Sequence, residues 1–325
     1  MSSPASQYDI NKVHPLEVLQ TIQVSQSCDE ACALVVVTDT EGGGVRAPGA
    51  LLAISEGGKC AGYVSNGCVD SDIVLQAQHA MREHEPRSVQ YGLGSPYKDI
   101  QLPCGGGVSL LIIPNPNSEL IDKAVHALNA RLSISLLFKP SGIIELDKSR
   151  QSTGWKNKVF VAKLLPRLKI RIAGRGAEPI ALAKLAHSSG FEVIAQSPHG
   201  NTLTAMAPFA AITQPLSTQD TLPQSTDDIW TAFVLLFHDH EWEAELLKQA
   251  LNGKAFYIGA MGSPNTHAKR CELLKDFGIK PDAIDRIRAP IGLIPSQRDA
   301  SVLSISTLAE IVETFGHLTK IKATK

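Results

Sequence analysis

Two α/β domains in tandem are predicted for this chain, on three observations. At 325 residues it is long enough for about two domains, each with its own core. In the first half, short apolar runs alternate with glycine-rich turns and amphipathic stretches. In the second half, a strand at 168–173 runs into Gly174-Arg175-Gly176-Ala177-Glu178-Pro179, then a helix to about 189 and a second strand at 191–196. That order opens a doubly wound parallel sheet. The expected architecture is an N-terminal α/β domain over 1–157 and a Rossmann-like domain over 158–325. The boundary is placed in the charged, aperiodic stretch 149–157.

Composition excludes several classes. Lysine and arginine number 31 against 32 aspartates and glutamates, a formal net charge of -1. No global field therefore favours nucleic acid or an anionic membrane. Residues 1–15 lack the basic and apolar regions of a secretory leader, and no apolar run approaches the ~18 residues of a bilayer span. A soluble, cytoplasmic protein is expected. Six scattered cysteines without a C-x-x-C pair argue against a disulfide framework, a zinc ribbon or a thioredoxin-type site. Cys28 and Cys32, four apart on one helical face, read as packing residues.

In chain order, 9–30 reads as a helical lead-in with Val13, Leu16, Leu19 and Ile22 on one face, covering the sheet that Leu34 opens. The first domain is organised around 34–72: a strand at 34–38, a glycine-rich loop carrying Arg46 and Pro48, a strand at 50–55, a Gly57-Gly58 turn and a strand at 60–64. Ser65-Asn66-Gly67-Cys68 then stands at the mouth of a helix. Val69, Ile73, Ala77, Ala80 and Met81 give that helix an apolar face, Ser65 or Asn66 caps it, and Asp70 and Asp72 fall in its first turn. Glycine at this density signals a ligand close to the main chain. Cys68 reads in two ways: a thiolate favoured by unpaired helix amides and opposed by the two aspartates, or a small buried hydrophobe. After Pro86 come a strand at 88–91, a glycine-rich passage at 92–95, and Leu102-Pro103-Cys104-Gly105-Gly106-Gly107 before a strong strand at 108–113. Cys104 is expected at the sheet's edge, bordering one cleft with Cys68. A helix at 120–132 and strands at 133–138 and 143–146 follow.

Val45-Arg46-Ala47-Pro48-Gly49-Ala50, Asn66-Gly67-Cys68-Val69-Asp70 and Cys104-Gly105-Gly106 before a strand match, in order, the motifs R-x-P-G, G-C-V-[ED] and C-G-G. The first half thereby resembles the amino-terminal domain of the XdhC/CoxI family, accessory proteins for molybdenum hydroxylases such as xanthine dehydrogenase and carbon monoxide dehydrogenase.

In the second half the dinucleotide fingerprint is altered. Pro179 stands for its third glycine, and the second strand ends in Ala195-Gln196-Ser197-Pro198, where a ribose site wants Asp or Glu. Arg175 at the helix start is placed to meet a phosphate. NAD(P) or FAD binding and a purely structural scaffold both stay open. Residues 214–227 read as a surface loop. A strand at 231–237 ends at His238-Asp239-His240; with Glu243 the histidines are metal ligands or acid/base groups, or else they border the cleft while Asp239 or His240 opens the helix 242–251. A strand at 256–258 turns through Gly259-Ala260-Met261-Gly262-Ser263-Pro264 into a helix at 265–277, with Ser263 as cap, another anion-friendly helix start. A last helix, 300–315, turns Leu303, Leu308, Ile311 and Val312 to the core.

The stretch 160–167 before the Gly174 turn, His238-Asp239, the run 257–263, Pro290-Ile291-Gly292-Leu293 and Leu308-Ala309-Glu310-Ile311 are similar to the carboxyl-terminal Rossmann domain of XdhC proteins, extending the resemblance over about 38–312. The chain departs from the family at Ala177, Ser197 and Phe237, where His, Asp and Thr are usual, and in 294–304, which lacks a Gly/Thr-Pro pattern. The resemblance implies an accessory protein rather than an enzyme: a chaperone that binds molybdenum cofactor (molybdopterin), protects it while its terminal oxo ligand is replaced by sulfur, and delivers it to the apoenzyme. The candidate cofactor-binding residues are then Arg46, Pro48, Gly49, Asn66, Gly67, Cys68, Cys104, Gly105 and Gly106, with Gly174, Arg175, Gly176, His238, Gly262 and Ser263 in the second domain. Cys68, and secondarily Cys104, are the candidate molybdenum ligands, and no residue is assigned as catalytic. The expected partners are the hydroxylase apoenzyme and a cysteine desulfurase, with a homodimer from general frequency, and neither nucleic acid nor membrane. Two rival readings are an NAD(P)- or FAD-dependent oxidoreductase whose first domain holds substrate, and a cofactor-free assembly factor.

Overall fold

The computed structural model describes residues 7–9, 12–42, 46–65, 67–93, 105–147, 152–238, 241–294 and 297–321. It divides into two units, the first ending at Pro166 and the second starting at Arg167.

The first unit runs β1 (Gln7–Asp9), α1 (Pro15–Ser27), β2 (Cys32–Glu41), β3 (Leu51–Ser55), β4 (Lys59–Gly62), α2 (Asp70–Glu83), β5 (Arg87–Gly92), β6 (Gly107–Pro114), α3 (Ser118–Asn129), β7 (Ile134–Lys139), β8 (Gly142–Asp147), β9 (Gly154–Lys156) and β10 (Val159–Leu164). Its larger sheet has the order β1-β4-β3-β2-β6-β5, antiparallel except where β1 pairs parallel to β4. A second, antiparallel sheet has the order β8-β7-β10-β9. Strand periodicity sorts the side chains of the larger sheet to two covered faces. Leu34, Val36, Leu111 and Ile113 pack on α1, α3 and the smaller sheet, whereas Ala33, Val35, Val37, Leu110 and Ile112 pack on α2. Both faces being covered, β2 reads as one continuous apolar run rather than an alternating one.

Several expectations are corrected in this unit. The lead-in is not helical from residue 9: β1 precedes α1, and the helix starts where Pro15 presets its first turn and the His14 ring accepts from Leu16 N at 3.2 Å. Cys28 and Cys32 share no helical face, since Cys28 caps α1 and is exposed while Cys32 is buried in β2. Ser65 does not cap α2. Val69 is its N-cap, without a side-chain hydrogen bond; Ser65 Oγ bonds the Asp70 carboxylate and accepts from Gly67 N at 3.2 Å, and Asn66 lies outside the described residues. The polar stretch 149–157 holds β9, β10 pairs with β7 and β9, and the two units divide at 166/167.

The second unit runs β11 (Lys169–Gly174), α4 (Ala177–Ser188), β12 (Glu192–Ser197), α5 (Gly200–Met206), β13 (Ile212–Pro215), β14 (Thr231–Leu236), α6 (Glu243–Asn252), β15 (Tyr257–Ala260), α7 (Pro264–Asp276), α8 (Pro281–Ile284), β16 (Ile287–Arg288) and α9 (Ala300–Ile321). All its strand pairs are parallel, in the order β13-β12-β11-β14-β15-β16. This is the doubly wound order of dinucleotide-binding folds, with its reversal between β11 and β14. Leu182, Met206, Leu308 and Ile311 cover one face from α4, α5 and α9; Leu246, Leu247, Ala250 and Leu274 cover the other from α6 and α7. The expected surface loop 214–227 is irregular and exposed over 217–221, but its first two residues close β13 and its last is held in a buried ion pair. Asp227 accepts from Arg171 Nε of β11 at 2.9 Å, both side chains being 1% exposed. Arg171 also donates to Gln196 at 3.0 Å and to Gln249 at 3.2 Å, and lies 3.9 Å over the Phe233 ring.

Candidate functional site

Strand direction gathers the first unit's motifs. In the larger sheet Val36 faces Leu51, Leu52 faces Gly62, and Gly107 faces both Glu41 and Gly92. The ends of β2, β4 and β5 and the starts of β3, β6 and α2 therefore share one end of the sheet. That end carries the Arg46 loop, the Cys68 turn and the Gly105-Gly106-Gly107 run, about sixty residues apart along the chain at their extremes.

Contacts tie the three together. A Cβ built on Gly42 lies 3.3 Å from Gly106 Cα, so the β2–β3 loop leans on the glycines that open β6. Ala47-Pro48-Gly49-Ala50 closes by Ala50 N donating to Ala47 O at 3.2 Å, with Gly49 at φ +93°, which meets the demand of a type II turn. Any side chain at Gly49 would meet the Thr153 methyl at 2.8 Å. Arg46 is half-buried, its guanidinium 4.4 Å over the ring of Tyr63, between β4 and the Cys68 turn. It has no carboxylate partner among the described residues, so its charge is anchored on a ring and open to an anion. Gly67 and Cys68 are exposed just before α2, while Val69 is buried. Cys68 is thus not the buried hydrophobe that its type suggests; the buried small thiols are Cys32 and Cys60. Burial, then the Glu30 charge, pushes the Cys32 thiol up to about 11. Gly105 is exposed and Gly106 buried. Cys104 lies outside the described residues. β6, which follows it, runs between β2 and β5.

Two features of this end were not anticipated. Tyr63 bears no motif and is recognised only through the ring it offers Arg46. A cavity of about 530 Å³ runs beside β5 and β6, lined among others by Asp39, Asp72, Tyr91 and Trp155. These four come from four different elements, so no sequence window contains them.

In the second unit the candidates stand at the carboxyl edge of the sheet. Gly174 is required by close approach: a Cβ there would lie 2.4 Å from Leu236 O of β14. Gly176 caps α4, Arg175 is half-buried beside it, and Pro179 is the helix's third residue, in the first turn whose amides have no helical partner. Across the β11/β14 reversal His238 is exposed, and its Nε2 is 3.0 Å from Glu178 Oε1 in that first turn. A carboxylate therefore stands where a dinucleotide fold receives its phosphates. At the position of the ribose acid, Gln196 and Ser197 are buried, Ser197 Oγ accepting from His199 N at 3.1 Å. The residues do not fit a dinucleotide. Glu243 is no ligand beside His238 either: it is buried and paired with Arg270, Nη2 to Oε1 at 2.8 Å, while His240 and Asp239 lie outside the described residues. Gly262 precedes Ser263, which caps α7 by accepting from Thr266 N at 3.1 Å. Among the described residues no group of three or more His, Cys, Asp or Glu is arranged for a metal ion, and no helix is long and apolar enough to cross a membrane.

Comparison with known proteins matches residues 26–92 to the XdhC and CoxI family and 170–311 to the XdhC Rossmann domain. The molybdenum cofactor insertion chaperone PaoD of Escherichia coli (strain K12) is 32% identical over 289 residues, covering 89% of this chain and 85% of that protein. A protein of Bacillus subtilis (strain 168) described as a probable xanthine dehydrogenase subunit is 21% identical, covering 88% and 93%. The crystal structure of a xanthine dehydrogenase from Bacillus halodurans superposes with a TM-score of 0.75 at 21% identity, covering 94% of this chain and 96% of that one, which shows the shared fold.

Proposed function

Because the chain belongs to the XdhC and CoxI family, we propose that it is a chaperone for molybdenum cofactor, holding it during sulfuration and delivering it to a molybdenum hydroxylase such as xanthine dehydrogenase. The observation that carries the reading is the presence, at one sheet end, of an exposed Cys68 thiol and of an Arg46 guanidinium that has no carboxylate partner among the described residues. The cargo is an anionic phosphorylated pterin with molybdenum on a dithiolene. Arg46 and the main-chain amides of the glycine turns suit its phosphate or oxo groups, and Cys68 suits the soft metal end or its sulfido ligand. Cys104 is assigned the secondary thiol role. The relative named an insertion chaperone, similar over most of both chains, supports the same direction. A cysteine desulfurase is the sulfur donor this reading calls for, the assembly is taken as a homodimer, and the compartment is the cytoplasm.

The oxidoreductase alternative is disfavoured by Glu178, whose carboxylate occupies the first turn of α4, and by Ser197 in place of an acid. In the second unit Gly174, Gly176, Gly262 and Ser263 are accounted for by strand packing and capping, and His238 by its pair with Glu178.

The test is anaerobic incubation of the purified protein with molybdenum cofactor, desalting, and assay of protein-bound molybdenum and pterin. The wild type retains both near stoichiometrically, Cys68→Ala loses the metal, and Arg46→Gln retains at most about a tenth, the loss of one charge-assisted contact. Full retention by Cys68→Ala overturns the assignment.

A further inference from the structure

We propose that the cavity beside β5 and β6 receives the pterin ring of the cargo, through the 2-amino-4-oxo pyrimidine edge that pterins share with guanine; this rests on the chaperone reading.

Chain geometry places the cavity next to the motif loops. Its lining includes Thr38 and Asp39 near the end of β2, Tyr91 beside Gly92, and Asp72, four residues after Cys68. A β-bulge sits at this point: Val37 pairs with Leu110 and Asp39 with Ser109, so Thr38 is the extra residue. Bulges re-aim side chains, and Asp39 here meets β9, accepting from Trp155 Nε1 at 2.8 Å. The strand that supplies Trp155 follows Thr153, the residue whose methyl abuts Gly49 of the Arg46 loop. On the other side, Tyr91 Oη donates to Asp72 Oδ2 at 2.7 Å.

Charge selects the ligand end. Neither Asp39 nor Asp72 has a cationic partner among the described residues; each carboxylate is oriented by one aromatic donor and keeps further acceptor capacity. The arginine in the lining, Arg87, is already committed to Glu83 at 2.7 Å and Gln76 at 2.8 Å. The cavity therefore asks for neighbouring N–H donors and repels phosphate, the reverse of Arg46. A carboxylate accepts side by side from the amino group and ring N–H of a 2-amino-4-oxo pyrimidine. The Trp155 ring, 46% exposed, offers a flat face for such a heterocycle, and about 530 Å³ lies within the usual span of small-molecule sites. A divalent cation is a poorer occupant, since the described residues bring no third ligating group.

The experiment titrates the full chain by calorimetry with 6-hydroxymethylpterin, with the lumazine analogue in which oxygen replaces the 2-amino group, and with GMP. The pterin binds at least about tenfold more tightly than the lumazine, and Asp39→Asn and Asp72→Asn each weaken it about tenfold, as loss of a charged acceptor should. Asparagine preserves an acceptor for Trp155 and Tyr91, so folding is not at issue. Equal affinity for the lumazine, unchanged affinity in both variants, tighter binding of GMP, or no pterin binding up to about 1 mM overturns the pterin site. The same variants are assayed for whole-cofactor retention. Retention by wild type and both variants, without binding of free pterin, overturns this pocket and leaves the chaperone reading intact. Aspartate-dependent pterin binding by a wild type that retains no whole cofactor supports the pocket and overturns the chaperone reading.

Discussion

Replacing Asp227 with alanine should cost the second unit more than any loss of packing at that position. The carboxylate is 1% exposed and accepts from Arg171 Nε at 2.9 and 3.2 Å, while the guanidinium it neutralises is 1% exposed in the middle of β11. Alanine leaves Arg171 with two glutamine carbonyls and the Phe233 ring, none of which carries charge. Breaking a buried pair on one side costs roughly 3–5 kcal/mol, because the remaining ion stays desolvated. For a body of this size, about 2–4 °C is lost per kcal/mol, so the midpoint of the second unit's transition should fall by roughly 6–20 °C. The assay is scanning calorimetry with urea titration followed by circular dichroism. The double variant Arg171→Met/Asp227→Leu should lie within about 2 kcal/mol of wild type, since it removes both charges and leaves apolar side chains in their place. An Asp227→Ala protein destabilised by less than about 1 kcal/mol, or a double variant worse than the single, would refute the reasoning.

Two further outcomes follow from the thiols and from a depressed imidazole. In iodoacetamide labelling at pH 8 read by mass spectrometry, exposed Cys28 and Cys68 should be modified in the native protein, whereas Cys32, buried and with its thiol pushed up to about 11, should react only after denaturation. Burial, and then the Arg270 charge, lowers the His267 pKa below its ordinary 6.5. The unfolded chain thus binds a proton that the folded one refuses, and stability present above pH 6.5 is lost as pH falls toward the folded value. The His267→Gln protein should show a shallower decline between pH 7 and 5 in urea midpoints, and an unchanged slope would sink that account.

Much of the fold was legible because its signals are local. The strand, glycine turn and helix over 169–188 follow from residues adjacent in sequence, as do the apolar face of α2 and the Ser263 cap of α7. The three motif loops of the first unit were legible too, but only as separate turns. What sequence does not carry is the partner across a sheet. β9 and β10 looked like a boundary and the start of a new domain because a three-residue strand such as Gly154–Lys156 has no periodicity; its place is decided by pairing with residues 159–161. Asp227 and Glu243 looked like loop and ligand residues because a carboxylate's meaning depends on which arginine the fold buries against it, Arg171 in one case and Arg270 in the other. Cysteine type alone leaves burial open, and tertiary packing sorted it, hiding Cys32 and Cys60 and exposing Cys68.

By itself, then, the chain determined its two α/β units, the parallel winding of the second and the glycine-rich turns of the first, since each rests on backbone preference and spacing within about thirty residues. Only the tertiary structure decided that those turns meet at one sheet end, that Arg46 lies on Tyr63, that Glu178 closes the phosphate position of the second unit, and that Asp39, Asp72, Tyr91 and Trp155 line one cavity. The physical reason is that strand pairing and charge burial join residues far apart along the chain, and their energies are set by the partner rather than by the residue.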